Sequence, residues 1–216
     1  MDNNEDNVKK LAMDFLICCY FGQSKDLCKA AVDRAYVDMA AHTLHFIKKD
    51  NYKEKWECRL NASDAIIERI QKFDGEFLKW HSETIVMIKK YYDGKLENEN
   101  GKKTLTEGQA QKWLNMTIKY LFVLKKLLGE EDGRLKTIKT FFKRTSEVDY
   151  RMPIDSYVLI KLGGSKSWSK LEDEYKSVDN ESFLWELENW EELMLKHKRF
   201  DEETYHRYYD EKKKYK

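Results

Sequence analysis

The chain has 216 residues, of which 37% are charged and 13% aromatic, with a formal net charge of +1. Nine glycines and a single proline are too few for a loop-rich β fold, while abundant Lys, Glu and Leu favour helices with solvated outer faces. No stretch approaches the roughly 20 apolar residues needed to span a bilayer, and the acidic start Met1-Asp2-Asn3-Asn4-Glu5-Asp6 lacks the pattern of a secretory signal.

Helical periodicity runs nearly throughout. Asn7 to Phe21 predicts a first helix with Leu11, Phe15, Ile17 and Cys18 inward, ended by Gly22. Ser24 then caps a second helix to about Lys48, with Leu27, Ala31, Ala35, Val37, Met39, Leu44 and Phe46 as its apolar stripe. Asn61 or Ser63 starts a third, carrying Ala65, Ile66, Ile67 and Ile70. Asp74 precedes a fourth, with Phe77, Leu78, Trp80, Ile85, Val86 and Ile88. The run from Asp93 to Gly101 is the clearest loop.

Thr106 and Gln109 form a capping box for a central helix that continues to Leu128 before Gly129. Its apolar residues nearly encircle it, which marks a helix buried on several faces. A narrow polar line, Lys112, Asn115 and Lys119, interrupts them on one face. An unpaired buried ammonium is costly, so this line must meet solvent, a carboxylate or a ligand.

A further amphipathic helix is expected from Arg134 to about Arg144, presenting Lys136, Lys139, Lys143 and Arg144 around Phe141 and Phe142. Pro153 then forces a break, and Asp155, two places on, is positioned to cap a short helix to Leu162. Ser165 or Ser167 restarts helix through Tyr175, and residues 181–198 and 201–214 are amphipathic. With no repeat and no linker in view, the expected architecture is all-α. It is one domain spanning 1–216, of roughly nine or ten helices around a buried central one, or two helical lobes with a cleft lined by residues 105–165.

Charge is uneven along this layout. Residues 1–100 sum to −2, residues 101–170 to +8 and residues 171–216 to −5. A basic middle between acidic ends points to a local anionic partner such as nucleic acid. Cys18, Cys19, Cys28 and Cys58 form no CxxC pair, so reduced core thiols in a cytoplasmic protein are expected.

Gln111-Lys112 opening a buried helix, followed by Pro153-Ile154-Asp155-Ser156-Tyr157-Val158, resembles the helix-hairpin-helix DNA glycosylase superfamily. Within it the pattern is most similar to the archaeal 8-oxoguanine DNA glycosylase branch, in which Gln-Lys opens the equivalent helix and a second lysine follows at the spacing of Lys119-Tyr120 here. The likeness covers about 50 residues. It departs from the family in the hairpin, where Thr106-Glu107-Gly108-Gln109-Ala110-Gln111 keeps one glycine, and in the 43-residue separation of Lys112 from Asp155. There is no cysteine cluster for an iron–sulfur centre, and no cofactor or metal is expected.

The resemblance implies a DNA N-glycosylase with AP-lyase activity acting in base excision on double-stranded DNA with a flipped base. The chemistry needs these residue types. Breaking an N-glycosidic bond builds positive charge on the sugar, which a carboxylate stabilises, and an amine can attack C1′ to displace the base. Lys112 is the expected nucleophile, and Asp155, kept ionised at a helix N-terminus, the carboxylate that takes the amine's proton and stabilises the cationic sugar. Gln111, Asn115 and Lys119 are candidates for positioning base or sugar, and Trp113, Tyr157 and Trp168 for stacking the extruded base. Arg134, Lys136, Lys139, Lys143 and Arg144 are candidates for the DNA backbone, and a monomer with no membrane partner is expected.

Competing patterns are weaker. A helical binding or regulatory protein with a basic face is the alternative from another class. Arg199 and His206 resemble the Arg-x4–6-His motif of HEPN ribonucleases. Asp38, His42 and His45 make a poor metal set, and Gly163-Gly164-Ser165-Lys166-Ser167 lacks the spacing of a phosphate loop.

Overall fold

Six α-helices order the described residues. In the computed structural model these are α1 (Asp2–Phe21), α2 (Leu27–Ala40), α3 (Tyr52–Gln71), α4 (Phe77–Lys90), α5 (Glu107–Leu128) and α6 (Lys139–Arg144). The structure describes residues 2–23, 25–40, 43–48, 51–97, 103–129, 131–155, 158, 168–171 and 187–189. The class is all-α, and Phe46 and Leu96 form an isolated antiparallel bridge.

Helix α5 is the axis. Trp113, Leu114, Ile118, Leu121 and Leu124 are fully or nearly fully buried on it, and α2 packs along its length while α4 covers a second side. The Thr106–Gln109 capping box forms as expected, and Gly129 (φ 82°) follows the last turn. Leu27, Ala31, Ala35 and Met39 recur every four residues on α2 and are all buried, so small side chains let α2 approach α5 closely. A second apolar centre lies where Phe73, Phe77, Trp80, Phe141 and Tyr150 meet, with ring centroids 5.3–6.4 Å apart.

Several expected boundaries are corrected. α2 stops at Ala40 rather than near Lys48, because residues 45–47 pair with 95–97 through the Glu97 N–H to His45 carbonyl and Ile47 N–H to Lys95 carbonyl bonds. The chain leaving α2 is also held by α5, whose Gln109 side chain donates to the Thr43 carbonyl. α3 starts at Tyr52, earlier than expected, since the Asn51 side chain accepts from the Glu54 N–H and caps it. Its first turns expose Tyr52 and Trp56, so the apolar stripe there is too weak to announce a helix. The Arg134–Arg144 element divides into a 3₁₀ helix (Gly133–Ile138) and α6.

On α1, Ile17 is buried with Met13 and Phe21 beside it, whereas Leu11, Phe15 and Cys18 face outward. One stripe of the helix meets the body, and the remaining apolar residues lie off that stripe. Of the four free thiols, Cys28 and Cys58 are buried and Cys18 and Cys19 exposed, so only two are core. Asp155 is not helical, Val158 is, and the other residues of the expected Asp155–Leu162 helix lie outside the described residues. So do the elements expected at 181–198, apart from 187–189, and at 201–214.

Candidate functional site

Lys112 belongs to the second turn of α5, and Asp155 to the extended segment that Pro153 enforces between the Glu147–Asp149 turn and Val158. Although 43 residues apart in sequence, the two side chains meet. Lys112 Nζ lies 3.8 Å from Asp155 Oδ2, and each side chain keeps only about a tenth of its surface (10% and 12%). The other Asp155 oxygen, Oδ1, accepts the Val158 N–H at 3.2 Å, the contact of an N-cap residue with the third residue of its helix.

Trp168 closes the site from the other side. Its ring centroid is 4.1 Å from Lys112 Nζ, so the ammonium rests on the negative face of the indole. The turn that carries it is fastened to the start of α5. Thr106 Oγ1 donates to the Ser169 carbonyl at 2.7 Å, and the Gly108 N–H donates to the Leu171 carbonyl at 2.9 Å. Gly108 permits that approach, because a Cβ there would stand 2.0 Å from the Trp168 carbonyl oxygen.

Gln111 and Asn115 are buried and do not face a ligand. Gln111 Nε2 donates to the Gly108 and Ile154 carbonyls, and its Oε1 accepts from the Ile154 N–H and Asn115 Nδ2. Asn115 Nδ2 donates also to the Met152 carbonyl at 3.0 Å. Its Oδ1 lies 2.6 Å from His81 Nε2 on α4. The expectation that these amides contact base or sugar is therefore corrected: they bind the 152–154 backbone to α5. Burial, opposed by the bond to Asn115 and reinforced by the Arg151 charge, pushes the His81 imidazole down to about 4, so it is neutral at pH 7.

Trp113 is likewise a core residue rather than a stacking platform. Its indole N–H donates to the Val32 carbonyl, and its ring packs edge-on against Tyr36 at 4.9 Å. Lys119, two helical turns beyond Lys112, is buried and lines an apolar groove of about 450 Å³ between α1 and α5 with Met13, Phe21 and Val123. Tyr157 lies outside the described residues.

The basic segment divides by function. Arg134 makes 2.8 Å ion pairs with both Asp132 and Asp14, tying the 3₁₀ turn to α1. Its expected role on a DNA backbone is corrected to a structural one. Arg144 donates to the Phe73 carbonyl and Lys139 pairs with Glu131 at 3.1 Å, while Lys136 and Lys143 are exposed.

Among the described residues, no His, Cys, Asp or Glu cluster is arranged to hold a metal ion, and no helix is long and apolar enough to cross a membrane. Arg199, His206, His42 and the 163–167 segment lie outside the described residues. Comparison with protein-family models, curated proteins and solved structures finds no match. His81 was missed by sequence reasoning, and an i, i+4 imidazole behind Phe77 on an apolar stripe gives no signal of its distant amide partner.

Proposed function

We propose that this protein is a DNA N-glycosylase with AP-lyase activity, of the helix-hairpin-helix kind, with Lys112 as nucleophile and Asp155 as its acid–base partner. The observation that carries the reading is the 3.8 Å approach of an amine and a carboxylate, held beside an indole face at the start of a buried helix.

The amine must be neutral to attack, and Asp155 is positioned to take its proton. The Nζ lone pair then forms a bond to C1′ while the C1′–N bond breaks and the electron pair leaves with the base, which is protonated from solvent. The C1′–O4′ bond then breaks with its electron pair going to O4′, which takes the proton held by Asp155, while one N–H proton leaves to solvent, and a protonated Schiff base remains. Loss of a C2′ proton next expels the 3′ phosphate with the C3′–O electrons. Asp155, a carboxylate again once its proton has passed to O4′, faces the cationic Schiff base. Trp168 supplies an aromatic face for an extruded base, and the exposed Lys136 and Lys143 are suited to phosphate contacts.

The test is borohydride trapping on duplexes that each hold one modified base, 8-oxoguanine included, or one abasic site. A covalent adduct that is lost in Lys112→Gln and slowed in Asp155→Asn is expected. Salt-sensitive duplex binding without any adduct overturns the reading in favour of a helical binding protein. RNA cleavage lost in His206→Ala overturns it in favour of a ribonuclease.

A further inference from the structure

Asp155 stands on a segment that has no regular secondary structure, yet its carboxylate must be placed to within a fraction of an ångström for proton transfer. The segment is held by a buried relay that starts on a different helix. His81 on α4 meets Asn115 Oδ1 at 2.6 Å. Asn115 Nδ2 reaches Gln111 Oε1 and the Met152 carbonyl, each at 3.0 Å. Gln111 in turn engages both polar groups of Ile154, the residue immediately before Asp155.

The polarity of this relay is fixed. Both Nδ2 hydrogens of Asn115 point at oxygen acceptors, so its Oδ1 must accept, and His81 must present Nε2–H. Rotating the Asn115 amide by half a turn would set Oδ1 against two oxygens at about 3 Å. Gln111 is locked in the same way, with both donors on carbonyls.

We propose that His81, Asn115 and Gln111 are positioning residues that set where the Asp155 carboxylate meets Lys112. None of the three touches the reacting atoms. His81 orients the Asn115 amide, Asn115 orients Gln111 and holds Met152, and Gln111 delivers the Ile154–Asp155 peptide to the α5 start. The catalytic consequence rests on the glycosylase reading, but the geometric claim does not.

Two measurements separate them. The first is the single-turnover rate of borohydride adduct formation on a duplex with one abasic site. The second is an NMR titration of the Lys112 ammonium and the Asp155 carboxyl in the free protein. Replacing Asn115 by Leu is expected to lower the rate by about 10²-fold with duplex affinity within about twofold, and to move both titrations. His81→Leu is expected to do the same to a smaller degree. His81→Gln, whose amide nitrogen can occupy the place of Nε2, is expected to restore rate and titrations to near wild type, which a merely space-filling role for His81 would not produce. If the wild type forms no adduct, the glycosylase reading fails and the titrations still decide the positioning claim. Unmoved Lys112 and Asp155 titrations in folded Asn115→Leu and His81→Leu overturn the proposal.

Discussion

Gln111 recognises Ile154 as one strand recognises another: its Oε1 accepts the Ile154 N–H at 3.3 Å while its Nε2 donates to the Ile154 carbonyl at 3.0 Å. A helical side chain thus substitutes for a neighbouring backbone and satisfies a buried peptide that would otherwise lack partners.

Replacing Gln111 by Leu keeps the volume and removes all four bonds. The Ile154 peptide and Asn115 Nδ2 then lose partners in a dry site, which costs about 2–4 kcal/mol of unfolding free energy. Guanidinium denaturation measures it. A loss below about 0.5 kcal/mol would show that water or a shifted backbone replaces the amide without penalty.

The neutral His81 gives stability a pH dependence of definite sign. Its ordinary value is 6.5 and its folded value about 4, mainly through burial. The unfolded chain therefore takes up a proton below about pH 6.5 that the folded protein refuses. Stability from this group is fully present above that point and falls as pH drops through the window to about 4, by about 3 kcal/mol in all. Denaturation series from about pH 7 to pH 4 should show this slope in the wild type and a shallower one in His81→Gln, which keeps a donor but does not titrate. Parallel slopes in the two proteins would remove His81 from this role.

Legibility in the sequence followed the range of the forces involved. The α5 cap was readable because Thr106 and Gln109 lie three residues apart, and Asp155 was readable as a cap because Pro153 marks the break. The polar line on α5 was required to meet solvent, a carboxylate or a ligand, and Lys112 meets the Asp155 carboxylate. What failed was long-range. The 45–47 segment left its helix for residues 95–97, and Arg134 turned from solvent to Asp14, 120 residues earlier. Gln111 and Asn115 look from sequence like ligand-binding amides, and only the fold reveals that the Gly108, Met152 and Ile154 carbonyls and Gln111 Oε1 already take up their donors.

Gly108 is the weak point of the Trp168 wall. Gly108→Ala places a Cβ against the Trp168 carbonyl, a backbone atom that must shift. The turn should leave α5, with loss of the Gly108–Leu171 and Thr106–Ser169 bonds and about 1–3 kcal/mol of stability. Near-UV circular dichroism should change as the Trp168 indole leaves the ammonium. Gly75→Ala, where a Cβ meets nothing within 4 Å, serves as the control and should leave the spectrum unchanged.

Arg134 and the exposed lysines of the same segment should separate in experiment. The Arg134 guanidinium is bound by Asp132 and Asp14, which raise its pKa still further and leave its side chain only 21% exposed. Its loss in Arg134→Ala leaves two carboxylates close together without their counter-charge and detaches α1 from the 3₁₀ turn. Stability should fall by about 1–2 kcal/mol, while the salt dependence of duplex binding should not change. Lys136→Gln and Lys143→Gln should do the reverse. Each should leave denaturation midpoints in place and reduce the slope of log affinity against log salt by about 0.9, the value for one neutralised phosphate. A reduced slope in Arg134→Ala, with the fold intact, would mean that the guanidinium leaves its two aspartates for the phosphate backbone.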